Sequence, residues 1–176
     1  MVKEKKDVKK KRIAIAGTGY TLDIRKAMWK FMEENGYEYT DFGDNTPNSQ
    51  PYVELAQKVA EAVASGEYTD GIMLCWSGIG PCMTANKVPG IRAAIVTDVE
   101  TVEACRKGNG VNMMCSGTKY MDPEKGVEML KKWLETDFCL PQWVEEVSKI
   151  DKVEAKYAKI KPKIKLPYQK FLESSK

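Results

Sequence analysis

The chain contains no histidine. Whatever acid–base chemistry it performs therefore excludes the side chain most often chosen for that work. Metal-binding spacing is missing as well. The five cysteines (Cys75, Cys82, Cys105, Cys115 and Cys139) are odd in number and form no C-x-x-C pair. With no imidazole beside them they do not make a structural zinc site. They read as reduced thiols of a cytoplasmic protein, with no metal and no cofactor expected. No apolar run approaches bilayer-spanning length. The N-terminal "MVKEKKDVKKKR" is basic, but no apolar core or small-residue cleavage site follows it, which excludes a secretory signal. Residues 1–11 are expected to be a solvated leader. The alternative, a nucleic-acid arm, lacks interleaved aromatics. Much of the net charge of +3 lies in that leader, so the body is close to neutral, and neither a nucleic acid nor a membrane is expected as partner.

The chain's 176 residues suffice for one well-buried domain. That domain is expected over 12–150, with a basic C-terminal extension over 151–176. "RIAIAG" (12–17) is a short apolar run with β-branched residues, closed by glycine, and reads as a buried strand. Helical spacing of Ile24, Met28, Phe31 and Met32 predicts a helix over 22–35, stopped by Gly36. Strands are predicted at 37–43, 71–75, 92–96 and 111–117. Helices are predicted at 53–65, through "PCMTANK" (81–87), at 98–107 with Asp98 as cap, at 122–135 with Pro123 in its first turn, and near 142–158. Trp29 and Trp133 fall at apolar helical positions and read as core.

Alternation of apolar strands with helices predicts an α/β fold, a parallel sheet sandwiched between helices. In such sheets ligands bind at the carboxyl ends of the strands. Cys75, Gly17–Gly19 and Cys115–Gly117 all belong to that edge. The motif "CWSGIGPCMTANK" (75–87) puts a thiol at a strand end, facing the amides of a glycine turn and a helix start. A thiolate there is favoured electrostatically, and the amides of "SGIG" are suited to an anionic oxygen. That pairing fits proton abstraction beside a carbonyl, with the enediolate oxygen held by the turn. The same pattern is also met where the cysteine only packs.

The stretches "CWSGIGPCMTANKVPGIRAA" (75–94), "GNGVNMMCSG" (108–117) and "IAIAG" (13–17) resemble the ribose-5-phosphate isomerase type B family. That family also includes the subunits of galactose-6-phosphate isomerase. The resemblance implies a Rossmann-like three-layer sandwich on a five-stranded parallel sheet. It implies a metal-independent isomerase that interconverts aldoses and ketoses through a cis-enediolate, acting as a homodimer or tetramer with shared active sites. Carried over by position, Cys75 is the catalytic base and Ser77 assists at the sugar oxygen. Gly78, Ile79 and Gly80 hold the enediolate. Tyr52 and Asn109 line the substrate, Asn109 from a neighbouring subunit, and Lys119 contacts the anionic group. Thr18 and Gly19 stand where the family has an Asp-His pair and are expected to touch substrate through hydroxyl and backbone.

The departures bear on the substrate. Gly108 occupies the position of the ring-opening histidine, and Gln142 and Glu145 occupy those of the phosphate-clamp arginines. Trp76 replaces a glycine beside the base and is expected to line and reshape the pocket. These changes disfavour ribose 5-phosphate and favour an open-chain, smaller or unphosphorylated carbonyl compound. The basic tail from Lys152 to Lys170 is a possible source of a replacement anion contact. Two alternatives stand beside the isomerase or epimerase: other chemistry on a non-sugar (lyase, hydrolase or ring opening), and a non-catalytic small-molecule-binding or partner subunit. Cys82, Cys105, Cys115 and Cys139 are given no role.

Overall fold

The structure is a computed structural model that describes residues 11–136 and 140–159. Five strands form one sheet: β1 (Arg12–Gly17), β2 (Glu38–Asp41), β3 (Asp70–Cys75), β4 (Ala93–Ile95) and β5 (Met113–Gly117). All pair in parallel, in the order β2-β1-β3-β5-β4. Six helices accompany them: α1 (Leu22–Glu34), α2 (Tyr52–Ala64), α3 (Ile79–Ala85), α4 (Val99–Asn109), α5 (Pro123–Glu135) and α6 (Pro141–Tyr157). The expected three-layer α/β sandwich is the one observed.

Side-chain alternation along the strands builds two cores. Ile13 and Ile15 of β1, Ile72 and Leu74 of β3 and Met114 of β5 bury one face beneath α1, α4 and α5, with Trp133 fully enclosed. Ala14, Ala16, Met73, Met113 and Cys115 bury the other beneath α2 and α3. This second face uses small residues because α2 lies close. A Cβ on Gly71 would come within 3.0 Å of Val59. The central strands are thus apolar on both sides, whereas the edge strands β2 and β4 are partly exposed and shorter than their apolar runs suggest.

Several boundaries differ from expectation for local reasons. The helix expected through "PCMTANK" starts two residues earlier, at Ile79, because Gly78 adopts φ +75° and serves as its N-cap. A 3-10 turn over Gly19–Thr21, not foreseen, precedes α1. Trp29 lies at the margin of the core and carries the Arg25 guanidinium over its ring. The α6 helix runs without a break through position 150 and buries none of its residues. It is tied to the body by Glu154, which accepts from Gly90 N at 2.9 Å, and by Asp151, which pairs with Arg92 at 3.3 Å.

Candidate active site

The chain leaves β1 to build β2 on one side and returns to place β3 on the other. A crevice therefore opens at the carboxyl ends of β1 and β3. Cys75 closes β3 at that point, partly exposed. Gly17 pairs with Leu74 in the register, and Thr18 N donates to Leu74 O at 3.2 Å, so the turn after β1 abuts the cysteine.

The turn after Cys75 is held on β5. Thr118 N donates to Cys75 O at 3.1 Å and Lys119 N to Trp76 O at 2.9 Å. Gly117 admits this approach because any Cβ there would lie 2.1 Å from Cys75 O. Gly78 is equally constrained, since a Cβ would meet Ser116 N at 2.8 Å. The amides of Ile79 and Gly80 open α3, where helix geometry leaves N–H groups without an intrahelical acceptor. Ser77 Oγ accepts the Ile79 amide at a long 3.4 Å. Tyr52 starts α2 with its ring against Gly80, where a Cβ would fall 2.6 Å from the ring. Trp76 is 58% exposed, and its ring lies under Lys119 Nζ at 5.3 Å from the centroid. The ammonium also lies 5.5 Å from the Tyr120 ring, so the cation is presented on an aromatic shelf.

Cys75, Trp76, Ser77, Gly78, Ile79, Gly80, Thr18, Gly19, Tyr52 and Lys119 thus come together at one sheet edge. Asn109 does not. It ends α4, and the following segment sits at the amino ends of the strands, with Asn112 O accepting from Gly71 N. A strand of six residues separates the two edges, roughly 15–20 Å. Gly108 lines a cavity with Asn109 and residues of α6, the helix that also carries Gln142 and Glu145.

Two groups escaped sequence reasoning. Tyr20 Oη lies 3.3 Å from Cys75 Sγ. Burial, then the contact with the sulfur, raises the Tyr20 pKa above the ordinary phenol value. Arg25, fully buried, donates to Asp41 Oδ2 at 2.7 Å, Asp44 O at 2.9 Å and Asn45 Oδ1 at 2.8 Å. It ties the helix after β1 to the loop after β2. Neither carries a sequence signal, since a lone Tyr or Arg at a helix start has no motif.

The remaining thiols differ from Cys75. Cys115 is enclosed, and its hydrogen bond to Cys82 together with burial raises its pKa well above normal, while Cys82 is lowered by the same bond. Burial pushes the Cys105 thiol up to about 11. Cys139 lies outside the described residues. Among the described residues no group of three or more His, Cys, Asp or Glu side chains is placed to hold a metal ion.

A fold of this order, with a cysteine ending β3 and a glycine turn capping α3, has close counterparts. The Ribose/Galactose Isomerase family matches residues 13–153. The chain belongs to this family. The family's ribose-5-phosphate isomerase B of Clostridium thermocellum superposes with a TM-score of 0.78 at 34% identity, covering 83% of this chain and 99% of that one. The D-erythrulose-4-phosphate isomerase of Pectobacterium atrosepticum is 33% identical over 127 residues, 72% of this chain and 84% of its own. The 4-deoxy-4-sulfo-D-erythrose isomerase of Clostridium sp. strain MSTE9 is 31% identical over 129 residues, 72% and 81% of the two chains. Membership makes the chain a divergent sugar-isomerase-type enzyme, as its motifs led one to expect. The family's range is not confined to ribose 5-phosphate.

Proposed function

We propose that the chain interconverts an aldose and a ketose of short, open-chain form, with Cys75 as the base. The observation that carries this is the position of Cys75 Sγ at the mouth of the β1–β3 crevice, one residue from a glycine turn whose amides begin α3. The thiolate takes the proton from the carbon next to the aldehyde, and the electron pair moves onto the carbonyl oxygen as the enediolate forms. The amides of Gly78, Ile79 and Gly80 stabilise that oxygen, and Ser77 carries the hydroxyl proton between the two oxygens. The new Cys75 thiol then returns its proton to the former aldehyde carbon, giving the ketose and restoring the thiolate.

A tetrose derivative fits better than a cyclic pentose phosphate. Two relatives are named for four-carbon sugars, one bearing a phosphate and one a sulfonate, and such chains cannot close a ring through C4, whose oxygen is esterified in the first and replaced in the second. Gly108 in place of a ring-opening histidine is then no handicap. Lys119, over the Trp76 ring, offers one cation to a terminal anion. Asn109 completes the site from a second copy of the chain, since its own Cys75 lies at the opposite sheet edge; a homodimer is the smallest assembly that allows this.

The test is proton exchange in deuterium oxide followed by NMR, with D-erythrulose 4-phosphate, D-erythrose 4-phosphate, unphosphorylated erythrulose and ribose 5-phosphate. Deuterium uptake next to the carbonyl of the four-carbon compounds, abolished in Cys75→Ala, is the expected result. Exchange that persists in Cys75→Ala, or exchange with ribose 5-phosphate ahead of the tetroses, overturns the reading.

A further inference from the structure

Tyr20 lies outside the motif around Cys75, yet its phenol is the side chain that reaches the sulfur. The turn bearing it is fixed from three directions. Thr18 N donates to Leu74 O at 3.2 Å, Gly19 N donates to Ser49 O at 3.2 Å, and Thr21 donates to Thr18 O through both N (2.9 Å) and Oγ1 (2.8 Å). Gly19 has no room for a side chain, because a Cβ would lie 1.9 Å from Thr46 O. A turn so constrained delivers Tyr20 Oη to 3.3 Å from Cys75 Sγ. Among the described residues no other side-chain hydrogen bond reaches that sulfur.

The chemistry of the pair sets its direction. When Cys75 is a thiolate, only the phenol can donate. The raised Tyr20 pKa keeps that phenol protonated through the neutral range, so a donor is present whenever the thiolate forms. Thiolates elsewhere are commonly steadied by an imidazolium, and this chain has no histidine to supply one. The phenol also limits how far the sulfur can swing about its side-chain bond.

We infer that Tyr20 is the positioning residue of the Cys75 base: its phenol O–H donates to the thiolate, favours the ionised sulfur and aims it into the crevice between β1 and β3. The inference rests on Cys75 acting as the base, but its test needs no substrate. The rate of Cys75 alkylation by iodoacetamide is measured against pH in full-length protein, resolved from the other cysteines by peptide mass spectrometry. The same is done for Tyr20→Phe, which keeps the ring and removes the O–H. Access alters the limiting rate, whereas the midpoint reports ionisation alone.

A hydrogen bond to a charged acceptor is strong enough to move the midpoint upward by about one pH unit, so alkylation well below the midpoint falls about tenfold. The acid limb of the isomerisation profile moves by the same amount. An unchanged or lowered midpoint in folded Tyr20→Phe overturns the inference. Should that variant fail to fold, 3-fluorotyrosine placed at position 20 strengthens the donor and must lower the midpoint; no movement overturns the inference equally. Exchange that survives Cys75→Ala defeats the base instead, and leaves the alkylation result to judge the Tyr20–Cys75 bond separately.

Discussion

Arg25 Nη1 lies 2.7 Å from Asp41 Oδ2, with the arginine side chain wholly buried and the aspartate 14% exposed. The same guanidinium donates from Nη2 to Asp44 O and Asn45 Oδ1, and from Nε to Thr21 Oγ1 at 3.3 Å. One planar fork thus joins the turn that carries Tyr20 to the loop after β2, both of which rim the crevice. Arg25→Met leaves the Asp41 carboxylate nearly enclosed without its partner. Breaking a buried pair from one side costs on the order of 3–5 kcal/mol. Urea denaturation is expected to show a loss of that size, and any folded remainder to lose exchange activity because the Thr18–Thr21 turn is no longer held.

Gly78 separates geometry from stability. Its φ of +75° disfavours a side chain by roughly 1–2 kcal/mol. A Cβ there would also sit 2.8 Å from Ser116 N and 2.9 Å from Ser116 Cα. The turn must then lift off β5, dragging Cys75 with it through the bonds from Thr118 and Lys119. Gly66 has a similar φ of +79° with nothing within 4 Å of a Cβ. Gly78→Ala should therefore abolish exchange, while Gly66→Ala loses about 1 kcal/mol and keeps its activity. Equal activities in the two variants would show that the turn does not need its present place.

The cysteines are expected to separate by pH. With its thiol near 11, Cys105 holds only about a thousandth of its sulfur as thiolate at pH 8. Its pKa is raised, so alkylation grows tenfold per pH unit until about 11 and then levels. Cys115, raised and enclosed, stays unmodified at pH 8. Cys75 and Cys82, both partly exposed and the latter with its pKa lowered by its hydrogen bond to Cys115, are modified ahead of these two. Peptide mass spectrometry of native protein after brief iodoacetamide treatment checks the order, and early labelling of Cys105 contradicts it.

Cys75 and Asn109, at opposite sheet edges of one chain, make the dimer testable by mixing. Cys75→Ala and Asn109→Ala are each expected to be inactive. Mixed and refolded together, they form hybrids in half of the dimers, with one site of two intact, restoring about a quarter of wild-type activity. No recovery, with hybrids demonstrated by mass, would mean that Asn109 does not serve a neighbour's site.

Local chemistry made most of the fold legible. The apolar runs of β1 and β3, the glycine stops after α1 and α2, and Asp122-Pro123 at the start of α5 each act within a few residues. Sequence order alone therefore locates them, and the alternation of strands with helices leaves little choice but a parallel sheet. The motif at 75–80 was legible for the same reason, since a strand end, a glycine turn and a helix start are contiguous. Boundaries at the sheet edges were not, because β2 and β4 have neighbours on one side only and end where pairing ends.

Tertiary structure alone decided what surrounds the sulfur. Tyr20 is 55 residues from Cys75 in sequence, and nothing local announces that a turn pinned at Leu74, Ser49 and Thr46 will aim its phenol there. Arg25 likewise reaches 16 to 20 residues along the chain to atoms whose positions depend on strand order. Asn109 is proposed for the site only from its position in the sequence, and the end of α4 lies at the far edge of its own sheet. Hydrophobic periodicity and backbone propensity are short-ranged and can be read along a chain. The meeting of polar atoms depends on topology, and it appears only once the strands have been laid side by side.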